Sequence, residues 1–372
     1  MNTHTFEHLA ADGPYTITQD DIESLAVGSW ILGTGGGGST YVGLLNLRQQ
    51  YKAGASVNLI DPFSLADDDD VAVVSYMGAP LVGQERLSAP DSIARAVEMM
   101  EETIGRKFAA IMSLEIGGSN GMLPLMAAAI LDRPVVDADC MGRAFPEAQM
   151  TSFAIGDLSP HPLALYDPRG IEVVVKQVPT WKWMERVSRK VCVEVGSTAA
   201  TCKAPRTGKE VKEWGIPYTT SQAIALGRCV REAQRNHEDP IQAILEHAGG
   251  KRLFGGKVID VARRTTGGFL RGRAKLTGLD NDKGREIAID FQNEWVIARE
   301  GDDVIATTPD LICLLDSDSG EGLGTEIVRY GQRVTVIALP APAVLTTPKG
   351  LRHVGPRAFG YELDYQPLFG GA

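Results

Sequence analysis

The feature that most constrains the fold is a strand, helix, strand pattern between residues 70 and 116. Two apolar runs have strand character, DVAVVSYMG and FAAIMSLEI. Between them, apolar residues recur at helical spacing in SAPDSIARAVEMMEETIGRK. Because strands joined by a crossover helix pair in parallel, the pattern predicts a parallel α/β unit.

The sequence on either side extends this unit. An upstream run, SVNLIDPF, also has strand character, and downstream a predicted helix, GMLPLMAAAILDR, leads into a buried strand end, PVVDAD. We therefore predict a doubly wound, three-layer α/β domain over residues 1–168.

The pattern changes after residue 170. Two runs are strand-like, IEVVVKQV and KVCVEVGST, and two helices follow, GIPYTTSQAIALGRCVREAQRN and DPIQAILEH. From residue 250 the sequence has the rhythm of antiparallel strands bounded by turns. We predict a second, β-rich α+β domain over residues 169–340 and a tail, residues 341–372, that packs back on the first domain. A chain of 372 residues suits two domains of roughly 150 residues or more.

Composition narrows the range of partners. With a net charge of −10, the chain lacks the positively charged surface that nucleic-acid binding requires. The sequence has no apolar run of about 20 residues and no signal peptide, so we expect a cytoplasmic protein without a membrane partner. The five cysteines form no C-x-x-C pair, which argues against a disulfide framework and a cysteine-rich zinc site. We expect a homo-oligomer that acts on a small molecule.

A glycine loop, GTGGGGST, begins at Gly33. Gly33, Gly35 and Gly38 match the G-x-G-x-x-G spacing of a dinucleotide-binding turn, and Asp61 lies 23 residues after Gly38. This favours an NAD-dependent oxidoreductase, but that fingerprint requires a strand before the loop, and the preceding segment has helical character. The alternatives are a structural turn, or a loop whose amides at Gly35, Gly36, Gly37 and Gly38 approach an anion or a substrate.

Acidic residues follow two of the predicted strands. Glu115 and Asn120 come after one strand, and Asp137 and Asp139 end the next. Ligands of open parallel sheets bind beyond the carboxyl ends of the strands, so these side chains are expected to share one crevice. Carboxylates brought together raise each other's pKa and supply a general acid and base, or bind a divalent cation. The alternative for Asp137 and Asp139 is that they cap the next element.

Three more residues complete the candidate site. Glu147 is a fourth candidate catalytic carboxylate, and Arg143 is a candidate substrate-binding cation; in a helix their i, i+4 spacing would instead make an ordinary ion pair. His161, between two prolines, is a candidate substrate-binding residue and proton shuttle. A divalent, zinc-like metal held by Asp137, Asp139 and His161 is an open alternative for activating water.

Seven blocks of the sequence resemble the S-methyl thiohydantoin desulfurase family. They are GTGGGGST, EIGGSNGMLPLMAAA, PVVDADCMGRAFPEAQM, TTGGFLRG, PDLICLLD, RYGQRVTVIALPAP and VGPRAFGYELDY. The longest specific match runs from Asp137 to Glu147, and the one departure is Cys140, where the family pattern has glycine. The positions that match the family motif are Glu115, Asn120, Asp137, Asp139, Arg143 and Glu147.

The resemblance implies a hydrolase acting on a hydantoin-like heterocycle, which removes a thiol from an S-methylated thiohydantoin and leaves a hydantoin. Such a reaction needs a base for the water, for which Glu115 and Asp137 are candidates, and donors for the developing charge, for which Asn120 and the loop amides are candidates. Arg143 would orient a substrate carboxylate. A non-catalytic subunit of a hydantoinase-type complex is a further alternative.

Overall fold

The computed structural model describes residues 8–86 and 89–370. The outermost residues of the first predicted domain and of the predicted tail, 1–7 and 371–372, lie outside the described residues. The expectation about a signal peptide falls largely on the first of these segments.

The first part of the chain alternates short strands with helices. The strands are β1 Tyr15–Thr16, β2 Asn58–Ile60, β3 Asp70–Gly78, β4 Ala110–Ser113, β5 Val135–Val136, β6 Ala138–Asp139, β7 Leu163–Asp167, β8 Ile171–Val175, β9 Thr198–Cys202, β10 Arg206–Thr207 and β11 Ile216–Pro217. The helices are α1 Gln19–Leu32, α2 Tyr41–Lys52, α3 Ser92–Ile104, α4 Leu123–Leu131, α5 Ser152–Ile155, α6 Trp181–Glu194, α7 Gly208–Trp214, α8 Thr219–Asn236 and α9 Pro240–Ala248.

The last part is dominated by strands. They are β12 Lys251–Thr266, β13 Phe269–Gly278, β14 Glu286–Gln292, β15 Glu294–Glu300, β16 Asp303–Thr307, β17 Leu311–Asp316 and β18 Arg333–Leu339, followed by helices α10 Ala343–Thr346 and α11 Pro348–Val354. Short 3-10 helices lie at Pro62–Ser64, Pro80–Gln84, Gly118–Met122, Asp280–Asp282 and Pro356–Phe359.

The central sheet has the order β1-β2-β5-β4-β3-β9-β7-β8, with β10 paired to β3. Its middle, β2-β5-β4-β3, is parallel, and the strands on either side pair antiparallel. The predicted pairing of β3 with β4 across α3 is confirmed. The interior residues of β3 are buried except Tyr76, as expected of a strand covered on both faces.

The second sheet is antiparallel throughout, in the order β16-β15-β14-β13-β12-β18-β17. It has a core of its own, in which the Trp295 ring meets Phe291 edge-on at 5.2 Å. The predicted fold class, a doubly wound α/β part with a β-rich α+β part, is confirmed. Leu345 of α10 and Val354 of α11 lie in one core cluster with Phe153 of α5. The domain boundaries stay a prediction.

The strand predicted at KVCVEVGST is wrong over most of its length. Residues 190–194 are the last turns of α6, and the next strand begins only at Thr198. The Thr180 hydroxyl caps this helix, and Met184, Ser188 and Cys192 are buried along one face at a spacing of four residues. The run Val191–Val193 therefore belongs to the end of an amphipathic helix and not to a strand.

Helix α1 leads directly into the glycine loop, which begins at Gly33. Its start is fixed by a capping box between Thr18 and Asp21. It packs closely on α8, because a Cβ at Gly28 would lie 1.8 Å from the Ala223 carbonyl oxygen, and a Cβ at Gly227 would lie as close to the Ser24 carbonyl oxygen. The loop therefore follows a helix, and the strand that a dinucleotide fingerprint requires before its turn is absent at residues 19–32.

Among residues 8–86 and 89–370, no helix is both long and apolar enough to cross a membrane.

Candidate functional site

A pocket of about 320 Å³ lies where the glycine loop, the ends of β3 and β4, helix α6 and the β14–β15 turn meet. This volume suits a small heterocycle, since ligand pockets begin at about 300 Å³. Its polar and charged lining residues are Ser39, Ser75, Tyr76, Arg86, Glu115, Ser119, Asn120, Glu147, Glu185, Arg189, Thr198, Lys203, Asn293, Glu294 and Glu326.

The glycine loop forms one wall through Gly37 and Gly38, whose φ angles of +72° and +78° favour glycine. Their carbonyl oxygens accept hydrogen bonds from Ser119 N at 3.1 and 2.9 Å. Their own amides donate no hydrogen bond within the described part of the chain. These amides are free to bind an occupant of the pocket. Gly35 and Gly36 lie outside the lining.

The far side of the loop is fixed to β15 and to the segment between β17 and β18. Thr34 O accepts from Trp295 N and Gly35 O accepts from Thr325 N, each at 2.8 Å. At Gly36, an added Cβ would lie 2.0 Å from Oε1 of Glu294. Only glycine lets the loop approach that carboxyl group so closely.

Glu115 lies beyond β4 and is buried. Its Oε2 accepts from Phe145 N at 3.0 Å, and its Oε1 accepts from the side-chain amide of Asn120. The Asn120 oxygen in turn accepts from Tyr76 N at 2.8 Å, which fixes the orientation of the amide. Burial, opposed by the bonds to Phe145 and Asn120, raises the pKa of Glu115 to about 8.

Two further glutamates of the pocket, Glu294 and Glu326, are buried in the same way. In each, the Oε2 atom has no hydrogen-bond partner among the described residues. Burial and then the charge of Glu115 raise the pKa of Glu294 well above its ordinary value. Burial raises the pKa of Glu326 to about 7. An occupant with N–H groups would supply the missing partners.

Two family models match the chain. The model described as S-Me-THD-like, N-terminal domain covers residues 20–177, and the model described as S-Me-THD-like, C-terminal domain covers residues 179–368. The chain belongs to the S-methyl thiohydantoin desulfurase family. The resemblance inferred from the seven sequence blocks is confirmed.

A crystal structure of a protein from Chromobacterium violaceum has the same fold as this family member. The TM-score is 0.80 at 24% identity, and the match covers 95% of this chain and 100% of the other. No curated protein matches the chain significantly.

Of the desulfurase-family motif residues, Glu115, Asn120 and Glu147 line the pocket. Glu147 accepts hydrogen bonds from the side-chain amides of Gln149 and Gln292, the latter at 3.2 Å. The ion pair between Arg143 and Glu147 that helical spacing suggested is wrong, because the segment 140–151 contains no helix.

Arg143 lies behind the glycine loop, outside the pocket lining, and is 1% exposed. It donates from Nη2 to the Thr34 hydroxyl at 2.7 Å, from Nη1 to Pro309 O at 2.9 Å and Asp310 O at 3.1 Å, and from Nε to Ala144 O at 3.0 Å. Burial lowers its pKa to about 10. Four of its donors hold together three segments of the chain, and because the side chain lies outside the pocket lining it is not placed to bind a substrate carboxylate.

Asp137 and Asp139 also lie outside the lining and accept backbone hydrogen bonds. Asp137 accepts from Ser221 N at 3.0 Å and the Ser221 hydroxyl at 2.5 Å, in the first turn of α8. Asp139 accepts from Ile116 N at 2.7 Å and Gly142 N at 2.8 Å. Burial raises their pKa values to about 6 and about 7. This arrangement matches the interpretation in which they cap neighbouring segments.

The metal candidates do not form a binding site. His161 is half-buried and lies outside the pocket lining. Within residues 8–86 and 89–370, no group of three His, Cys, Asp or Glu side chains could hold a metal ion. Asp137, Asp139 and His161 therefore do not fit a zinc-like ion.

Three residues of the pocket were not predicted from the sequence: Glu294, Glu326 and Lys203. Glu294 follows Asn293, whose φ of +58° places it in the turn between β14 and β15. A charged residue next to such a turn is ordinarily expected to be exposed. One signal was available in the sequence: the run WVIA after Glu294 is apolar without interruption, which is typical of a strand buried on both faces.

Proposed function

We propose that this protein hydrolyses an S-methylated thiohydantoin to a hydantoin and methanethiol. The supporting observation is a pair of buried carboxyl groups, Glu115 and Glu294, that face one pocket and interact electrostatically. Because the charge of Glu115 raises the pKa of Glu294, the pair holds one proton on Glu294 when Glu115 is ionised.

Water attacks the ring carbon between the two nitrogens. Ionised Glu115 accepts a proton from the water as the C–O bond forms, and protonated Glu294 donates to a ring nitrogen as the ring takes up the electron pair. The amides of Gly37 and Gly38 donate to the ring oxygen, where negative charge develops. The C–S bond then breaks with its electron pair going to sulfur, and the hydantoin carbonyl forms as the hydroxyl proton of the intermediate passes to the Glu294 carboxylate. The sulfur takes up a proton and leaves as methanethiol.

Asn120 acts on Glu115 and not on the ring. Its side-chain amide donates to one carboxylate oxygen while Tyr76 N fixes its other end. This leaves Glu115 in one orientation and stabilises the ionised form that the reaction needs.

The test is turnover in water enriched in ¹⁸O, with the products analysed by mass spectrometry. The proposal predicts methanethiol and a hydantoin that carries one ¹⁸O atom at the attacked ring carbon. A hydantoin without the label, or a product that keeps the sulfur, contradicts hydrolysis at that carbon.

A further inference from the structure

Lys203 is a buried amine in this pocket that the proposed mechanism does not yet use. It follows β9, and its backbone N–H donates to Val73 O of β3 at 2.8 Å. The residue is 5% exposed and lines the pocket. Within the described residues, its amine makes no hydrogen bond and no ion pair. Because the amine has no partner in the described part of the chain and lies in the pocket lining, an occupant of the pocket can accept its hydrogen bonds.

Several ionisable groups act on Lys203 from the elements packed around it. Glu185 and Glu115 stabilise the charged amine, and Arg189 opposes it. Glu185 is held elsewhere, by Arg189 Nε at 2.8 Å and Ala148 N at 2.9 Å. The remaining ionisable neighbours are the thiols of Cys140, Cys192 and Cys202. Burial lowers the pKa of Lys203 to about 8, so the amine can give up a proton near neutral pH.

The reaction proposed above leaves one requirement open. Breaking the C–S bond places an electron pair on sulfur, and methanethiolate is a poor leaving group unless it is protonated. After the attack Glu294 has given up its proton, and Glu115, which holds the proton from water, is fixed by Asn120 and Phe145 N. An uncommitted ammonium in the same pocket meets the need.

We propose that Lys203 is the proton donor to the departing thiol, an inference that rests on the proposed hydrolysis. As the C–S bond breaks, the electron pair goes to sulfur, and the Lys203 ammonium transfers one proton to it. Methanethiol leaves as a neutral molecule and Lys203 becomes a neutral amine. The hydroxyl proton of the intermediate passes to the Glu294 carboxylate as the carbonyl forms, and the proton that Glu115 took from water returns to Lys203, so that all three groups regain their starting protonation states.

The test compares two leaving groups in Lys203→Met, with Lys190→Met, an exposed lysine on α6, as the control. Trifluoroethanethiol is a much stronger acid than methanethiol and leaves without a proton donor. Lys203→Met should lower kcat about 100-fold for the S-methyl substrate and less than about 10-fold for the S-trifluoroethyl analogue. Lys190→Met should match the wild type with both.

Equal losses with both leaving groups overturn the role of Lys203 and leave hydrolysis standing. Absence of thiol release from the wild-type protein overturns hydrolysis and the role of Lys203 together. If Lys203→Met does not fold, Lys203→Arg takes its place in the same comparison, because a guanidinium keeps the positive charge but does not give up its proton near neutral pH. It should lose activity with the S-methyl substrate and keep it with the trifluoroethyl analogue. Equal losses with both contradict the proposal.

Discussion

At Gly36 the glycine loop meets the carboxyl group of Glu294 with no space for a side chain. The φ angle of this residue is not positive, so a Cβ changes only the space and not the backbone preference. The residue therefore offers a steric test of the carboxyl position. Gly43 of α2 lines the same pocket and is a matched control, because its Cβ would meet only the side chain of Met122, whose flexible sulfur is the nearest atom at 3.3 Å.

We expect Gly36→Ala to lower kcat at least about 10-fold and to destabilise the fold by about 1–3 kcal/mol, because the methyl group displaces Glu294 or the loop. Gly43→Ala should keep near wild-type kcat. Steady-state kinetics and urea unfolding measure both effects. Full activity in a folded Gly36→Ala protein would contradict the role of Glu294.

The motif residues show which parts of the site can be predicted from the sequence at the level of single residues. Glu115 and Asn120 were predicted together because both follow a parallel strand, and the rule for strand ends placed them in the pocket. The same rule also predicted that Asp137 and Asp139 lie in the pocket. Their carboxylates instead lie outside its lining and accept hydrogen bonds from backbone amides. Glu294 comes from a distant hairpin, and no local pattern ties a hairpin tip to the end of β4.

Between elements, Arg143 joins the glycine loop to the segment that leads into β17. Its guanidinium donates to Thr34 in the loop and to the carbonyl oxygens of Pro309 and Asp310. These are buried, charge-assisted hydrogen bonds, and each contributes more to the stability of the fold than a hydrogen bond between neutral groups. Arg143 thereby positions the loop amides without touching the pocket.

We expect Arg143→Met to lower the free energy of unfolding by about 2–4 kcal/mol, because it leaves buried carbonyl oxygens without donors. The control is Arg48→Met, which removes an exposed pair with Glu23 and should cost less than about 1 kcal/mol. Urea unfolding measures both variants. Equal stability of the two would contradict the account.

At this scale the sequence predicted β3, α3 and β4 well because their apolar periodicity is unambiguous. It failed where a helix end resembles a strand. Residues 190–194 of α6, KVCVE, place three apolar side chains rich in valine in a short window, while the cap at Thr180 lies ten residues upstream. Short windows lose the period that distinguishes a helix from a strand.

Across the whole molecule, buried carboxyl groups link stability to pH. The pKa of Glu115 is about 8 in the folded protein against 4.5 ordinarily, and those of Asp139 and Glu326 are about 7. A group whose folded pKa is raised holds its proton more tightly when folded. Its contribution to the free energy of unfolding is complete at pH values below the pKa of the unfolded state. That contribution is lost as the pH rises through the pKa of the folded state.

We therefore expect the free energy of unfolding to fall by at least about 2 kcal/mol between pH 5 and pH 7.5. Glu115→Gln should flatten this dependence, because glutamine does not ionise. Urea titrations at the two pH values measure the change. A wild-type protein that gains stability over this interval would contradict the raised pKa values.

In the proposed mechanism Glu115 and Glu294 perform the chemistry, while Asp137 only holds α8. The decisive experiment is methanethiol release from an S-methylated thiohydantoin by Glu115→Gln, Glu294→Gln and Asp137→Asn, each normalised to folded protein. We expect a loss of about 100-fold or more in the two glutamate variants and near wild-type kcat in the aspartate variant. Abolition by Asp137→Asn, with activity kept in the glutamate variants, would contradict it.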